Sequence, residues 1–263
     1  MIKREMKINF KSFLVWTLIL ISIFLMAYLM YPSIISSETG NMIDEMLKIF
    51  PEEVLIAFNM DISSMDSAYG WLKSEGFVFV LLIIGCYSAI LGSNILLKEE
   101  SDKTIEYLNS LPIKRSNIVI GKVLTGIFYI TLMTLLVGIF NYIALTLSGN
   151  FHTKQFLLLS ITPLFSSLVI FFICLFFSTF THKTKKMVGV SLGYVMISYI
   201  LNIFSNLADT TEFLKYFSVF TLADIRNVIL DIKINPIMPL ITLIISSIFM
   251  TLTLINYNKK ELV

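Results

Sequence analysis

Phe77–Leu97, FVFVLLIIGCYSAILGSNILL, runs directly into Lys98–Lys122, KEESDKTIEYLNSLPIKRSNIVIGK, and a further apolar run opens at Val123. The first stretch carries no charge and is long enough to cross a hydrocarbon layer of about 30 Å as a helix. The second is the only long charge-dense run lying directly between two apolar stretches of spanning length. That alternation fixes the fold class as an all-α, polytopic membrane protein. A short polar segment, read as a helix, is held between the second and third spans.

The same pattern repeats outward in both directions. Six spans are expected, at 13–31, 77–97, 123–147, 156–180, 187–205 and 237–255, in one membrane domain covering 1–263. Residues 1–12 carry Lys3, Arg4, Lys7 and Lys11 with Met6 and Phe10 at helical spacing. They read either as an interfacial helix on an anionic surface or as a basic anchor for the first span. The acidic stretch Ser33–Gly76 is read as one or two short helices around Pro51. The semi-apolar stretch 206–236 is read as extracellular or re-entrant helices. The first apolar run lacks a small-residue cleavage motif and is read as a retained span. Composition agrees: 56% of residues are hydrophobic, only 14% are charged, and mean hydropathy is +0.83. Soluble domains carry roughly 25% charged residues.

An even number of spans puts both termini on one side. That side holds 14 of the 20 lysines and arginines: four in 1–12, five in 98–122, three in the turn Thr181–Lys186 and two in the tail. Acidic residues are sorted oppositely, 12 of 18 lying on the other side. The positive-inside bias makes the basic side cytoplasmic.

The expected spans contain no Asp, Glu, Lys, Arg or His. Ion-coupled carriers usually keep ionisable groups at mid-membrane, and an intramembrane hydrolase needs a nucleophile–base or metal set. Neither constellation is visible, and no catalytic, cofactor or metal residue is assigned. Cys86 and Cys174 lie in different apolar runs, and His152 and His182 lie in loops on opposite sides. A phosphate-cradling GxxxxGK[ST] loop is missing as well, since Gly121-Lys122 is followed by Val123. Asn94, Asn141 and Asn202 are read as helix–helix hydrogen bonders in preference to substrate contacts. Gly85, Ala89 and Ser93 in the second span, and the GxxxG pair Gly189 and Gly193 in the fifth, are read as helix-packing positions, within one chain or between two.

Within 98–122, Ile105, Leu108 and Leu111 form a narrow apolar ridge that Pro112 ends. So short a helix needs a surface to pack against. The run from Glu100 through Thr104, Ile105, Glu106, Tyr107, Leu108, Leu111, Pro112 and Arg115 to Gly121-Lys122 resembles the E-x-x-G-T-[LI]-E-x-L-L-x-x-P-[VIL]-x-R…G-K signature of ABC-2-type transporter permeases. The basic amino end and the closing Tyr257–Leu262 are similar to that family too. Two positions depart from it: Lys103 stands where glycine is usual, and Asn109 where a second leucine is frequent.

The resemblance implies a half-transporter of the bacterial cytoplasmic membrane that expels a substrate outward; the uncharged spans, rich in Phe and Tyr, favour a hydrophobic or amphipathic cargo such as a membrane-active peptide, drug or lipid. Two copies of an ABC ATPase would bind beneath it, carrying the ATP and Mg, beside a second permease chain that is either identical or a paralogue. No nucleic-acid partner is implied. The segment 98–122 would be a coupling helix, with Ile105, Tyr107, Leu108 and Leu111 inserted in the ATPase and Glu100, Glu106 and Arg115 as a charged rim. Two other classes stay open on the residues alone: a membrane sensor or immunity protein without transport, and a secondary carrier.

Overall fold

The computed structural model of the chain describes residues 2–35, 67–105 and 114–260. Every element among them is helical, and six helices are long and apolar enough to cross a membrane. The expected helices around Pro51 and the centre of the coupling segment, 106–113, lie outside the described residues.

Helix α1 (Ile2–Ile35) is continuous, so the first twelve residues extend the same helix that carries the first span. Its 34 residues amount to about 51 Å, well beyond a hydrocarbon core. After the undescribed stretch come a single turn α2 (Ala68–Trp71), a π turn at Leu72–Gly76, and α3 (Phe77–Ile95). A stub, α4 (Lys98–Ser101), follows. Then come α5 (Arg115–Ser148), α6 (Thr153–Ser178) and α7 (Thr184–Ser205). Two 3₁₀ segments, Asp209–Tyr216 and Val219–Ala223, lead through α8 (Ile225–Asp231) to α9 (Ile237–Lys259).

The core lies where α3 meets α6, with α7 also against α3 and α9 against α6. Uniformly apolar helices have no amphipathic stripe to direct this docking, so shape decides it. A Cβ placed on Gly92 would lie 2.5 Å from the carbonyl oxygen of Phe171, so the α3 and α6 backbones meet there without room for a side chain. A Cβ on Gly126 would run into the Phe171 ring from the α5 side. Phe171 is therefore wedged between two glycines, and it is fully buried. A Cβ on Gly85 would lie 3.3 Å from the Phe220 ring and 3.4 Å from Ile170, tighter than an ordinary contact, and Ala89 and Ser93 are fully buried on the same helix. A Cβ on Gly189 or Gly193 would meet no described residue within 4 Å. Of the two readings of that GxxxG pair, a contact within the chain is not what the fold uses.

Helix α1 runs beside α5 in the same direction. Tyr28 donates to Asn141 Oδ1 at 3.0 Å near one end, and the Tyr129 hydroxyl bonds the Met6 carbonyl near the other. Asn141 thus serves as a helix–helix hydrogen bonder, as its sequence position implies. At the end of the bundle away from the termini, Gln155 joins three elements. It accepts from Tyr69 at 2.8 Å and donates to the Ile229 carbonyl at 2.7 Å. Ser198 of α7 accepts from the Val219 N–H and its own carbonyl accepts from Ser218, which pins the 3₁₀ region to that helix.

One substitution made at two glycines separates packing from propensity. Gly92→Ala should destabilise the detergent-solubilised chain by about 2 kcal/mol, because a methyl group is forced onto backbone. Gly193→Ala should stabilise the same chain by up to about 1 kcal/mol, since helix propensity improves in open space. Thermal unfolding of the two variants checks both signs.

Candidate functional site

The charged residues of the basic end are not a solvated fringe. Lys122, in the second turn of α5, is 1% exposed, and its ammonium group has three hydrogens to place. Nζ donates to Glu99 Oε1 at 2.6 Å, to Glu5 Oε2 at 3.2 Å and to the Ile95 carbonyl at 2.7 Å. Glu5 is 3% exposed on α1, Glu99 is 3% exposed on α4, and Ile95 ends α3. The Ile95 carbonyl is among the last four of its helix, which lack an intrahelical donor. One saturated cation thus fastens α1, α3, α4 and α5 together.

The next residue serves the other half of the bundle. Glu100 Oε1 accepts from Lys260 Nζ at 2.7 Å, and its Oε2 lies 2.6 Å from Nδ1 of His182. With the carboxylate ionised, the ring nitrogen is the donor in that contact. Lys260 also donates to the Thr181 carbonyl at 2.8 Å. The Lys260 carbonyl in turn accepts from Arg115 at 3.0 Å, and Asn256 donates to Thr179 at 3.0 Å. Glu100 therefore gathers the α6–α7 turn, the tail beyond α9 and, through that tail, the start of α5. Successive helical residues are about 100° apart, which is why neighbouring glutamates reach opposite halves of the bundle.

The chain leaves α4 through a Schellman turn: Thr104 N–H bonds the Glu99 carbonyl at 2.8 Å and Lys103 N–H bonds the Glu100 carbonyl at 3.3 Å. Lys103 occupies its left-handed position, with φ of 54°. Here the departure from the signature acquires a backbone meaning, since glycine takes that conformation without steric cost. Both carbonyls that close the turn belong to the two clamping glutamates. The entry to 106–113 is thus rigidly linked to the ionic cluster.

A sequence-family model described as "ABC-2 family transporter protein" matches residues 2–262. The chain belongs to the ABC-2 transporter family. It is a permease subunit of an ABC transporter and a multi-pass membrane protein, a transport component in a family whose members generally pair with an ABC ATPase. It matches no curated protein and no solved structure.

The structure places the signature residues of this ABC-2 permease in distinct settings. Glu100 is buried with both oxygens engaged by its own chain, and Arg115 bonds the Asn258 and Lys260 carbonyls. Both are internal fasteners here, whereas the resemblance places them on a rim facing a partner. Thr104 is exposed and Ile105 is 2% exposed. Glu106, Tyr107, Leu108, Leu111 and Pro112 fall outside the described residues. Sequence reasoning missed Glu5, Glu99, Lys122, His182 and Lys260 as parts of one cluster. The Gly121-Lys122 end of the signature was a signal for Lys122; nothing in spacing pairs it with Glu5.

Three variants test the junction. Lys122→Met should destabilise by about 3–5 kcal/mol, because two buried carboxylates lose their shared cation. Adding Glu5→Gln and Glu99→Gln should recover most of that loss, with thermal unfolding of the single and triple variants as the measurement. Lys103→Gly should raise stability by about 0.5–1 kcal/mol by relieving the left-handed lysine. A lowered midpoint for that variant would refute the strained-turn reading.

Proposed function

We propose that this permease transmits ATPase movements through the root of segment 98–122 to all six spans, driving outward transport of a hydrophobic or amphipathic substrate. The observation that carries the reading is the paired clamp. Glu99 ties the segment to the α1, α3 and α5 side, and Glu100 ties it to the α6–α7 turn and the α9 tail. A push on 106–113 reaches these anchors through a two-residue turn closed by hydrogen bonds, with little slack to absorb it.

In this reading the basic end faces the cytoplasm, in agreement with the positive-inside bias, and the host membrane is a bacterial cytoplasmic membrane. Two ABC ATPase subunits supply the ATP and Mg, and they receive the apolar ridge of Leu108 and Leu111 with Tyr107, whereas Ile105, expected on that face, is buried within its own chain. Glu106 remains as a rim charge. A second permease chain, identical or related, completes the pathway. The exposed faces of α1, α7 and α9, including the open Gly189–Gly193 stripe, are available to it or to lipid.

The case for an apolar cargo rests on the wall chemistry. A groove of about 360 Å³ between α5 and α6 is lined by Leu135, Ile139, Tyr142, Phe156, Leu157 and Ile161 among others, with no acidic or basic side chain in its lining. Such a surface accepts acyl chains or apolar side chains; its polar groups are the hydroxyls of Thr131, Thr134, Tyr142, Thr153 and Ser160, with no charge to hold an ion.

Co-expression with an ATPase encoded beside the permease tests the assignment. Leu108→Asp should reduce ATPase co-purification at least tenfold, since a buried charge would sit in the docking ridge. Glu100→Ala should leave co-purification intact, yet abolish stimulation of ATP hydrolysis by amphipathic peptides in reconstituted vesicles. Undiminished ATPase binding by Leu108→Asp would overturn the docking assignment.

A further inference from the structure

At the end of the bundle opposite the ionic junction, the last turn of α7 faces the 3₁₀ segment Val219–Ala223 across a small polar cavity of about 90 Å³. Asn202, Asn206, Thr221 and Asp224 supply its polar lining, over Leu81 and Phe220. Asp224 is held there by the backbone, with no ionic partner among the described side chains. It takes a left-handed conformation (φ 47°, ψ 37°) where the 3₁₀ segment turns into α8, and its N–H bonds the Thr221 carbonyl at 3.1 Å.

The carboxylate is half-satisfied. Oδ1 accepts from Asn227 at 2.7 Å, while Oδ2 is buried with no protein hydrogen-bond partner. Leaving a buried acceptor unmade is costly, more so when it is charged. No described lysine or arginine pairs with Asp224, and among the described groups Asp231 acts on it in the raising direction. Burial, opposed by the Asn227 bond, holds the Asp224 carboxyl above the usual carboxylate range. The neighbouring polar groups can all present oxygen. Asn202 touches Thr221 Oγ1 only at 3.5 Å, so its amide is barely engaged, and Thr221 spends its one proton on the Lys215 carbonyl at 2.8 Å. Its hydroxyl therefore faces other groups only with lone pairs.

A set of acceptors around one unpaired carboxylate oxygen selects a cation. The single carboxylate argues against Ca²⁺, which takes six to eight oxygens and commonly several carboxylates. At about 90 Å³ the cavity has room for several waters, a partly hydrated alkali ion or a methylammonium-sized head. We infer that Asp224, with the Asn202, Asn206 and Thr221 oxygens, forms a binding site for a small monovalent cation, either an alkali metal ion or a primary ammonium group. Occupancy would bridge α7 to the segment leading into α8, reinforcing the Ser198–Ser218 link one turn away. Binding requires neither ATP nor a partner ATPase, so it can be tested on the purified chain whatever becomes of the transport proposal.

The experiment is thermal unfolding of the full chain in detergent, at constant chloride and ionic strength, in N-methylglucamine, sodium, potassium or methylammonium buffer. A saturable rise in Tm of roughly 4 °C over N-methylglucamine is expected for at least one small cation. A response to sodium or potassium alone identifies a metal-ion site, and a response to methylammonium alone identifies an amine site. Asp224→Asn keeps the shape, the Asn227 contact and a residue tolerant of the left-handed conformation, and it should remove the rise. Asn202→Leu, which gives up only the 3.5 Å contact, should weaken the response at least threefold in half-saturating concentration. Equal Tm in all four buffers, or an undiminished rise in Asp224→Asn, would overturn the site.

Discussion

Lys122 and its three acceptors set the terms for the rest of the molecule. A lysine ammonium removed from water is tolerated only when each hydrogen finds an acceptor and its charge is matched. Here the three acceptors come from three different segments, so the requirement cannot be met by any one helix pair. It is met only when α1, the α3–α4 junction and α5 are all in place. Such a site adds little net stability compared with apolar packing, but it penalises every arrangement in which one participant is displaced. In a bundle of helices that are apolar on nearly all faces, where many rotations would bury similar area, that penalty specifies register. The apolar contacts supply attraction, and the ionic contact selects the geometry.

The distribution of burial follows from this division. Helices α3 and α6 meet through Gly92 and around Phe171, with backbones too close for substitution, and they form the unyielding centre. Among the described residues, helices α1, α7 and α9 leave most of their spanning surface uncovered, each keeping one face on the core: Phe13, Leu20 and Phe24 of α1 and Val195 of α7 are buried, and Phe249 of α9 packs on Phe176. Polar contacts tie α1 near both ends and α9 at its carboxyl end.

The sequence made the fold class legible because the hydrocarbon layer imposes a length and a composition that no other constraint mimics, and six runs satisfy both. Lys103 was legible in part: its place in the signature called for glycine, and the structure shows a left-handed residue there. The ionic junction was much less legible. Glu5 and Lys122 are separated by more than a hundred residues, and a lone charge at a span boundary ordinarily reads as a solvated flank. Glycine spacing was legible only in part. Gly189 and Gly193 match a packing motif yet meet no described residue of their own chain, which leaves a contact between two chains, while Gly92 and Gly126 make the close contacts within it. A four-residue spacing identifies a face, but only the tertiary arrangement says what that face meets.

The two glutamates at the root of the polar segment connect these points. A lever fixed by one anchor rotates about it, whereas a lever fixed by two anchors on different bodies changes the distance between them. Glu99 and Glu100 are adjacent on one turn, yet one belongs to the α1–α5 side and the other to the α6–α7 turn and the α9 tail. Tilting that turn shortens one attachment as it extends the other. Charge-assisted contacts of 2.6–2.7 Å resist both changes steeply. Because α3, on the first side, and α6, on the second, are locked together at the centre, such a tilt is borne by the junction and the outer helices rather than by parting the two sides. That constraint follows from two consecutive side chains that point about 100° apart on a helix.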